Sequence, residues 1–268
     1  MLQPNGLREK LANGKPTLGT HILLPSPDVA ELIGDTQQFD YAEYSAEYSI
    51  LDMPLLYSLS RAAQCGSLPL MIKLDQSSQA FWAQAAVGAG FHAVLFTDIR
   101  SPSDIDACYR SLRADTPDIG GDVGVKLRRH AFTGYESEGY LNHLDEVVFG
   151  MMIEKDVAME NLDAVLRRAA LRGVDFIQWG PVDFAFSRGQ PSLRGTEELA
   201  QIEERLIKST QDAGLTPRIE IKKPEDAERY VRLGVQHFCI GWDRFILYET
   251  LREMGSAMRK DVLTKVTG

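Results

Sequence analysis

The feature that most constrains this chain is an alternation. A short apolar run is followed by an amphipathic stretch with a helix start signal, and the pair recurs from one end to the other. The apolar runs are Thr17–Leu24, Asp40–Tyr44, Pro69–Leu74, Ala93–Thr97, Val147–Ile153, Asp175–Trp179, Pro217–Ile221 and Gln236–Gly241. They are rich in β-branched or aromatic residues and bounded by Gly, Pro or Asp, as strands of a buried parallel sheet are. Helix openings lie between them: Asp52 with Pro54, Ser101 with Pro102, Thr196 with Glu197 and Glu198, Pro224 with Glu225 and Asp226. In Asn161–Leu171 the residues Leu162, Val165, Leu166 and Ala169 form one apolar stripe that would face a sheet. Eight strands, each followed by a helix, is the count of a (β/α)8 TIM barrel, which takes roughly 250 residues. A doubly wound open sheet is the rival, and periodicity alone leaves it standing.

No linker, low-complexity tract or charge run divides the chain, so residues 1–268 read as a single α/β domain. Two connections exceed the usual length, Pro117–Leu144 and Phe184–Gly195; long loops in compact domains are commonly functional. The net charge of −9 leaves no basic surplus for a nucleic acid, though a local positive pocket for an anionic substrate stays open. There is no apolar stretch of about 18 residues and no signal-peptide core, so a soluble cytoplasmic protein without membrane contact is expected. Cys65, Cys108 and Cys239 lie far apart and read as buried reduced thiols.

Active sites of such barrels form at the C-terminal ends of the strands. Glu154 ends the fifth run and Asp183 follows the sixth in Gly180–Pro181–Val182–Asp183, so the two acids are expected as neighbours on the rim. Two carboxylates without a nearby His or Cys suit a hard ion such as Mg2+ or Mn2+. Such a site leaves coordination positions for the carboxylate and keto oxygens of a 2-oxo acid, whose enolate the ion would stabilise. The N–H groups of Val182 and Asp183, after the Gly180–Pro181 turn, are placed to receive the substrate carboxylate. Each acid also has a plain structural reading, a helix-terminal acid for Glu154 and an N-cap for Asp183.

These residues resemble the HpcH/HpaI aldolases, metal-dependent class II enzymes related to citrate lyase β subunits. The resemblance spans nearly the whole chain. It includes Leu7–Pro16 with Leu18–Gly19, Pro27–Leu32, Phe39–Tyr41, Met152–Ile153–Glu154, Asn161–Leu162–Asp163, the Gly-Pro-x-Asp turn and Leu233–Gly234 leading to Gly241–Trp242–Asp243. It implies Glu154 and Asp183 as ligands of Mg2+, Mn2+ or Co2+. It also implies aldol cleavage releasing pyruvate or a close relative, and a homo-oligomer, a hexamer, with the final helix exchanged between subunits.

The departures from the family pattern bear on mechanism. Tyr48 stands where the family has its basic histidine, and Gly88 where it has the acid assisting that histidine. Lys73 or Leu74 replaces the arginine at the keto oxygen, and Met152 a glutamine. A phenol is a poor base at neutral pH, so Tyr48 is expected to donate a proton, or else to pack under a loop. His21 on the first strand and water on the ion are the other candidates for moving the proton. Lys73 is expected to bind an anionic oxygen. Arg128, Arg129 and His130 either close over a distal anionic group of the substrate or form a solvated loop.

Three readings follow. The first is a lyase cleaving or forming a 4-hydroxy-2-oxo acid from a small 2-oxo acid and an aldehyde. The second is a decarboxylase or hydrolase of a β-functionalised 2-oxo acid on the same metal site. The third is a catalytically silent barrel subunit, against which the retention of both metal acids counts.

Overall fold

The computed structural model describes residues 4–125 and 137–266. Eight parallel strands close into one barrel in sequence order: β1 (Thr17–Ile22), β2 (Tyr41–Ser45), β3 (Leu70–Leu74), β4 (Ala93–Phe96), β5 (Val148–Ile153), β6 (Phe176–Trp179), β7 (Pro217–Ile221) and β8 (His237–Trp242), with β8 returning to β1. This is the (β/α)8 barrel, and the open-sheet rival is excluded. All eight apolar runs contain a strand, because a residue buried on both sheet faces leaves the same signature whichever way it points.

The helix starts follow from local chemistry. Asp52 accepts the Leu55 N–H at 2.8 Å, Asp104 the Ser101 N–H at 2.9 Å and Thr196 the Leu199 N–H at 3.3 Å, so each occupies an amide the helix leaves unpaired. Asp243, whose place at the start of the last helix reads as an N-cap, is not one: the N-cap is Trp242. The Asp243 carboxylate accepts the N–H groups of Leu23 and Leu24, both at 2.9 Å, tying the segment after β1 to the last helix, Asp243–Ala257. The long connections are partly helical: Ser137–Glu146 in the first, and Pro181–Ser187 running into the second. Cys108 and Cys239 are buried as expected, but Cys65 is exposed at the end of the helix Met53–Cys65.

One end of the barrel is sealed. Leu7, from the short helix Gly6–Ala12, packs with Tyr41, Met71, Ala93, Val148 and Phe176 inside the strands. Arg8 of that helix pairs with Asp175, with Nη2 donating to Oδ2 at 2.7 Å. Gly19 is required here, since a Cβ would lie 2.2 Å from the Tyr41 ring. Above this apolar plug the interior turns polar: His21, Glu43, Gln178 and Arg218 are wholly buried and Lys73 nearly so. The branched apolar layers usual for such barrels are absent at this height, and the polar layer becomes the floor of the open end.

Candidate active site

Glu154 is the first residue beyond β5 and only 2% exposed. Its Oε1 accepts the Asp98 N–H at 2.8 Å. Its Cβ and Oε2 lie over Gly180, where any Cβ would come within 2.4 Å of that oxygen, so the glycine after β6 is a packing requirement of the acid beside it. Burial pushes the Glu154 carboxyl up to about 7; Lys73 and the Asp98 N–H partly offset this, and Asp183 and Asp98 add to it. Among the described residues no ion pair reaches Glu154.

Asp183 sits in the first turn of the helix Pro181–Ser187, whose N-cap is Gly180, with its side chain 44% exposed. Lys155 links the acids: its Nζ lies 2.5 Å from Asp98 Oδ1 and 4.0 Å from Asp183 Oδ1. Glu154, Asp183 and Asp98 thus share one patch of negative charge with one short-range cation. Oxygen donors and a buried carboxylate that no ion pair reaches among the described residues fit a hard divalent ion.

Lys73 and Tyr48 meet on the other side of the mouth. Lys73, on β3, donates from Nζ to the Tyr48 hydroxyl at 3.3 Å and pairs with Glu47 Oε2 at 3.0 Å. Burial works against the ammonium, but Glu220, Tyr48, Glu47 and Glu43 together raise its pKa, so it stays charged. Tyr48 ends the turn Ala46–Tyr48 directly after β2 and is half exposed. Burial raises its pKa despite Lys73, so it remains a protonated phenol.

His21, expected among the proton-handling groups, lies deeper. Nδ1 is 2.8 Å from the Gly241 carbonyl and Nε2 is 3.0 Å from Glu220 Oε1, while the ring stacks on Trp242. Both nitrogens face acceptors, so the ring is held as an imidazolium with no lone pair for substrate. Burial opposes that charge, and Cys239, Glu220 and Glu43 outweigh it. His21, Glu43 and Cys239 bring ligand-type atoms within 4.8 Å of one another. A cation there is disfavoured, because Glu43 already pairs with Arg218 at 2.6 Å and His21 carries its own charge.

The structure therefore brings Glu154, Gly180, Val182, Asp183, Lys73 and Tyr48 to one end of the barrel and puts His21 beneath them. Arg128, Arg129 and His130 lie outside the described residues. Sequence reasoning missed Asp98, Lys155, Glu43, Arg218, Gln178 and Glu220. The signal for three of these was present: Glu43, Arg218 and Glu220 are charges inside strands that are otherwise apolar. A separate cavity of about 410 Å³, lined by Arg8, Asp175 and His237 among others, opens at the sealed end and holds none of the site residues.

Known proteins resemble the chain over nearly its whole length. A sequence model of the HpcH/HpaI aldolase/citrate lyase family matches residues 53–249. The chain is 28% identical to a hydroxypyruvate/pyruvate aldolase of Pseudomonas aeruginosa, covering 96% of this chain and 94% of that protein. It is 26% identical to a 2-keto-3-deoxy-L-rhamnonate aldolase of Salmonella gallinarum, covering 93% and 91%. Among solved structures, an HpcH/HpaI aldolase/citrate lyase family protein from Burkholderia cenocepacia superposes with a TM-score of 0.84 at 21% identity, covering 96% of this chain and 100% of that one.

Proposed function

The chain belongs to the HpcH/HpaI aldolase/citrate lyase family, whose class II aldolases are lyases that use a divalent metal, and on that premise we propose that it cleaves and forms a 4-hydroxy-2-oxo acid. The products of cleavage are a pyruvate-type 2-oxo acid and an aldehyde. The observation that carries this reading is Glu154: a buried carboxyl pushed up to about 7 that no ion pair reaches among the described residues, beside two further acids. A carboxyl in that state is matched to a cation that arrives from solution.

Glu154 and Asp183 would hold the ion, Mg2+ or Mn2+. Bound there, it supplies Lewis-acid stabilisation of the charge that develops on the keto oxygen. The chain's own groups do the rest. Lys73 brings a fixed positive charge to the same oxygen from the β3 side. The N–H groups of Val182 and Asp183, in a first helical turn where amides are unused by the helix, receive the substrate carboxylate. Lys73 donates to the Tyr48 oxygen, which leaves the phenolic hydrogen free to point at substrate. In cleavage the 4-hydroxyl loses its proton as the C3–C4 bond breaks and C3 of the enolate gains one. Tyr48, a protonated phenol, supplies the second, and the proton released by the hydroxyl restores the phenol through water, with synthesis running the same transfers in reverse. His21 acts through Glu220, as a fixed donor to it.

The reading extends to assembly. Phe245, Ile246, Leu251 and Met254 on the helix Asp243–Ala257 are exposed apolar residues. In a homo-oligomer of six copies this helix is exchanged, and a neighbouring subunit covers these side chains. No helix of the described residues is long and apolar enough to cross a membrane.

The test is release of a 2-oxo acid from 4-hydroxy-2-oxo acids with Mg2+ or Mn2+ present, lost on chelation. Faster CO2 release from oxaloacetate would reassign the same enolate chemistry to decarboxylation. Absence of both reactions would leave the silent-subunit reading in its place.

A further inference from the structure

Glu220 on β7 lies two residues beyond Arg218, on the same inward face. Its Oε1 accepts from Gln178 Nε2 at 2.5 Å and from His21 Nε2 at 3.0 Å. Among the described residues no donor reaches Oε2. The side chains of His21, Glu43 and Arg218 are fully buried, whereas that of Glu220 keeps 27% of its surface. Strands wall it on every side and a filled layer lies beneath, so this surface opens toward the mouth.

The mouth it faces is the site described above. β6 runs between β5 and β7, and its inward residues at this height are Gln178 and, beyond it, Gly180. The Glu154 carboxyl lies over Gly180, and the strand registers set Glu154, Gly180 and Glu220 at one level, so the two acids flank the same part of the mouth. The Lys73 ammonium acts on both acids. His21, Lys73 and Arg218 hold Glu220 well below the usual carboxylate range although burial opposes this. An acid so stabilised is a weak base. It binds a hydroxyl as an acceptor and does not strip its proton. Its depth decides which hydroxyl: the enolate-forming substrate occupies the floor, and the aldehyde enters above it from the rim.

We propose that Glu220 is a specificity residue whose free oxygen accepts a hydrogen bond from a hydroxyl on the carbon next to the keto group, so that the site favours 3-hydroxy-2-oxo acids over pyruvate. This rests on the reading that a 2-oxo acid is enolised at Glu154 and Asp183. A site built around a hydroxyl penalises analogues that lack it, because its polar partner is then left unmatched. Water can reach Glu220, which moderates the penalty to about tenfold.

The experiment follows C3 proton exchange with deuterated solvent by NMR, using the Mg2+-loaded full-length protein. Hydroxypyruvate, pyruvate and 2-oxobutanoate, which carries methyl in place of hydroxyl, are compared by kcat/KM. Wild type is expected to favour hydroxypyruvate over 2-oxobutanoate by about tenfold or more. Glu220→Gln, which keeps shape but turns the acceptor into an amide, is expected to lower the hydroxypyruvate-to-pyruvate ratio about tenfold, chiefly through KM for hydroxypyruvate. Intrinsic acidity of the two compounds cancels in the comparison with wild type. An unchanged ratio, or equal losses for both compounds, overturns the proposal. If the variant fails to fold, equal wild-type use of hydroxypyruvate and 2-oxobutanoate overturns it. No exchange with any compound removes the enolisation reading and this inference together, and is visible before any variant is made.

Discussion

The Asp98 N–H reaches Glu154 Oε1 at 2.8 Å from a left-handed backbone, with φ at 60°. Side chains with a Cβ adopt this conformation at a cost, glycine at none. The turn after β4 therefore accepts strain in order to aim one amide at one buried carboxylate. Asp98→Ala and Asp98→Gly both lose the pairing with Lys155, so their difference isolates the backbone. The alanine variant is expected to be about 1 kcal/mol less stable than the glycine variant in urea unfolding. Equal stability would remove the strain argument.

Gly180→Ala tests the contact from the other side. A methyl group there would stand 2.4 Å from Glu154 Oε2, 2.6 Å from its Cβ and 3.1 Å from Met152 Cε. Glu154 must move, since the backbone of β6 is fixed by its neighbours. Lyase activity is expected to fall by about 100-fold or more, as misplacement of a site group by about 1 Å does. Mn2+ affinity should fall with it. Wild-type values for both would mean that Glu154 does not need its present position.

Lys155 competes with any incoming cation. Its ammonium lies 4.0 Å from Asp183 Oδ1 and 2.5 Å from Asp98 Oδ1. Discounted for the solvent around Asp183, its repulsion of a divalent ion comes to about 1 kcal/mol. Lys155→Met is therefore expected to tighten Mn2+ binding by about fivefold in calorimetry. Weaker binding would make Lys155 a support for Asp183 and not a competitor.

Acid sensitivity should trace in part to His92. Its Nδ1 accepts the Leu70 N–H at 3.3 Å, and burial, with His143, lowers its pKa to about 4. The unfolded chain takes up this proton near 6.5. The contribution to stability is therefore complete above pH 6.5 and is lost as pH falls toward 4, by about 3 kcal/mol at most. His237, also lowered to about 4 by burial and Arg218, adds a term of the same sign. His92→Gln should flatten the loss of unfolding free energy between pH 6.5 and 4 relative to wild type. An unchanged slope would show that His92 is protonated in the native state.

The barrel and the place of two acids at its mouth were legible because each leaves a local mark. Strands such as Val148–Ile153 and Ala93–Phe96 are apolar at every position, and Glu154 and Asp183 stand just past strand ends, where the fold puts chemistry. Asp98 and Lys155 were not legible. Their roles depend on a left-handed φ and on which rim loop faces which, and neither leaves a spacing pattern. The ion-paired floor was half legible. Glu43 and Arg218 break apolar runs, but only barrel closure brings β2 across to β7, where the guanidinium meets the carboxylate at 2.6 Å. His21 illustrates the same gap: its strand is plain in the sequence, while the Gly241 and Glu220 partners that occupy its nitrogens lie about 200 or more residues away.

The most direct measurement is calorimetric titration of the chelator-treated protein with Mn2+, for wild type, Glu154→Gln and Asp183→Asn, with folding checked by circular dichroism. The account predicts one ion per chain in wild type and at least about a 100-fold loss of affinity in each variant, both still folded. Undiminished Mn2+ binding in the two folded variants would contradict it.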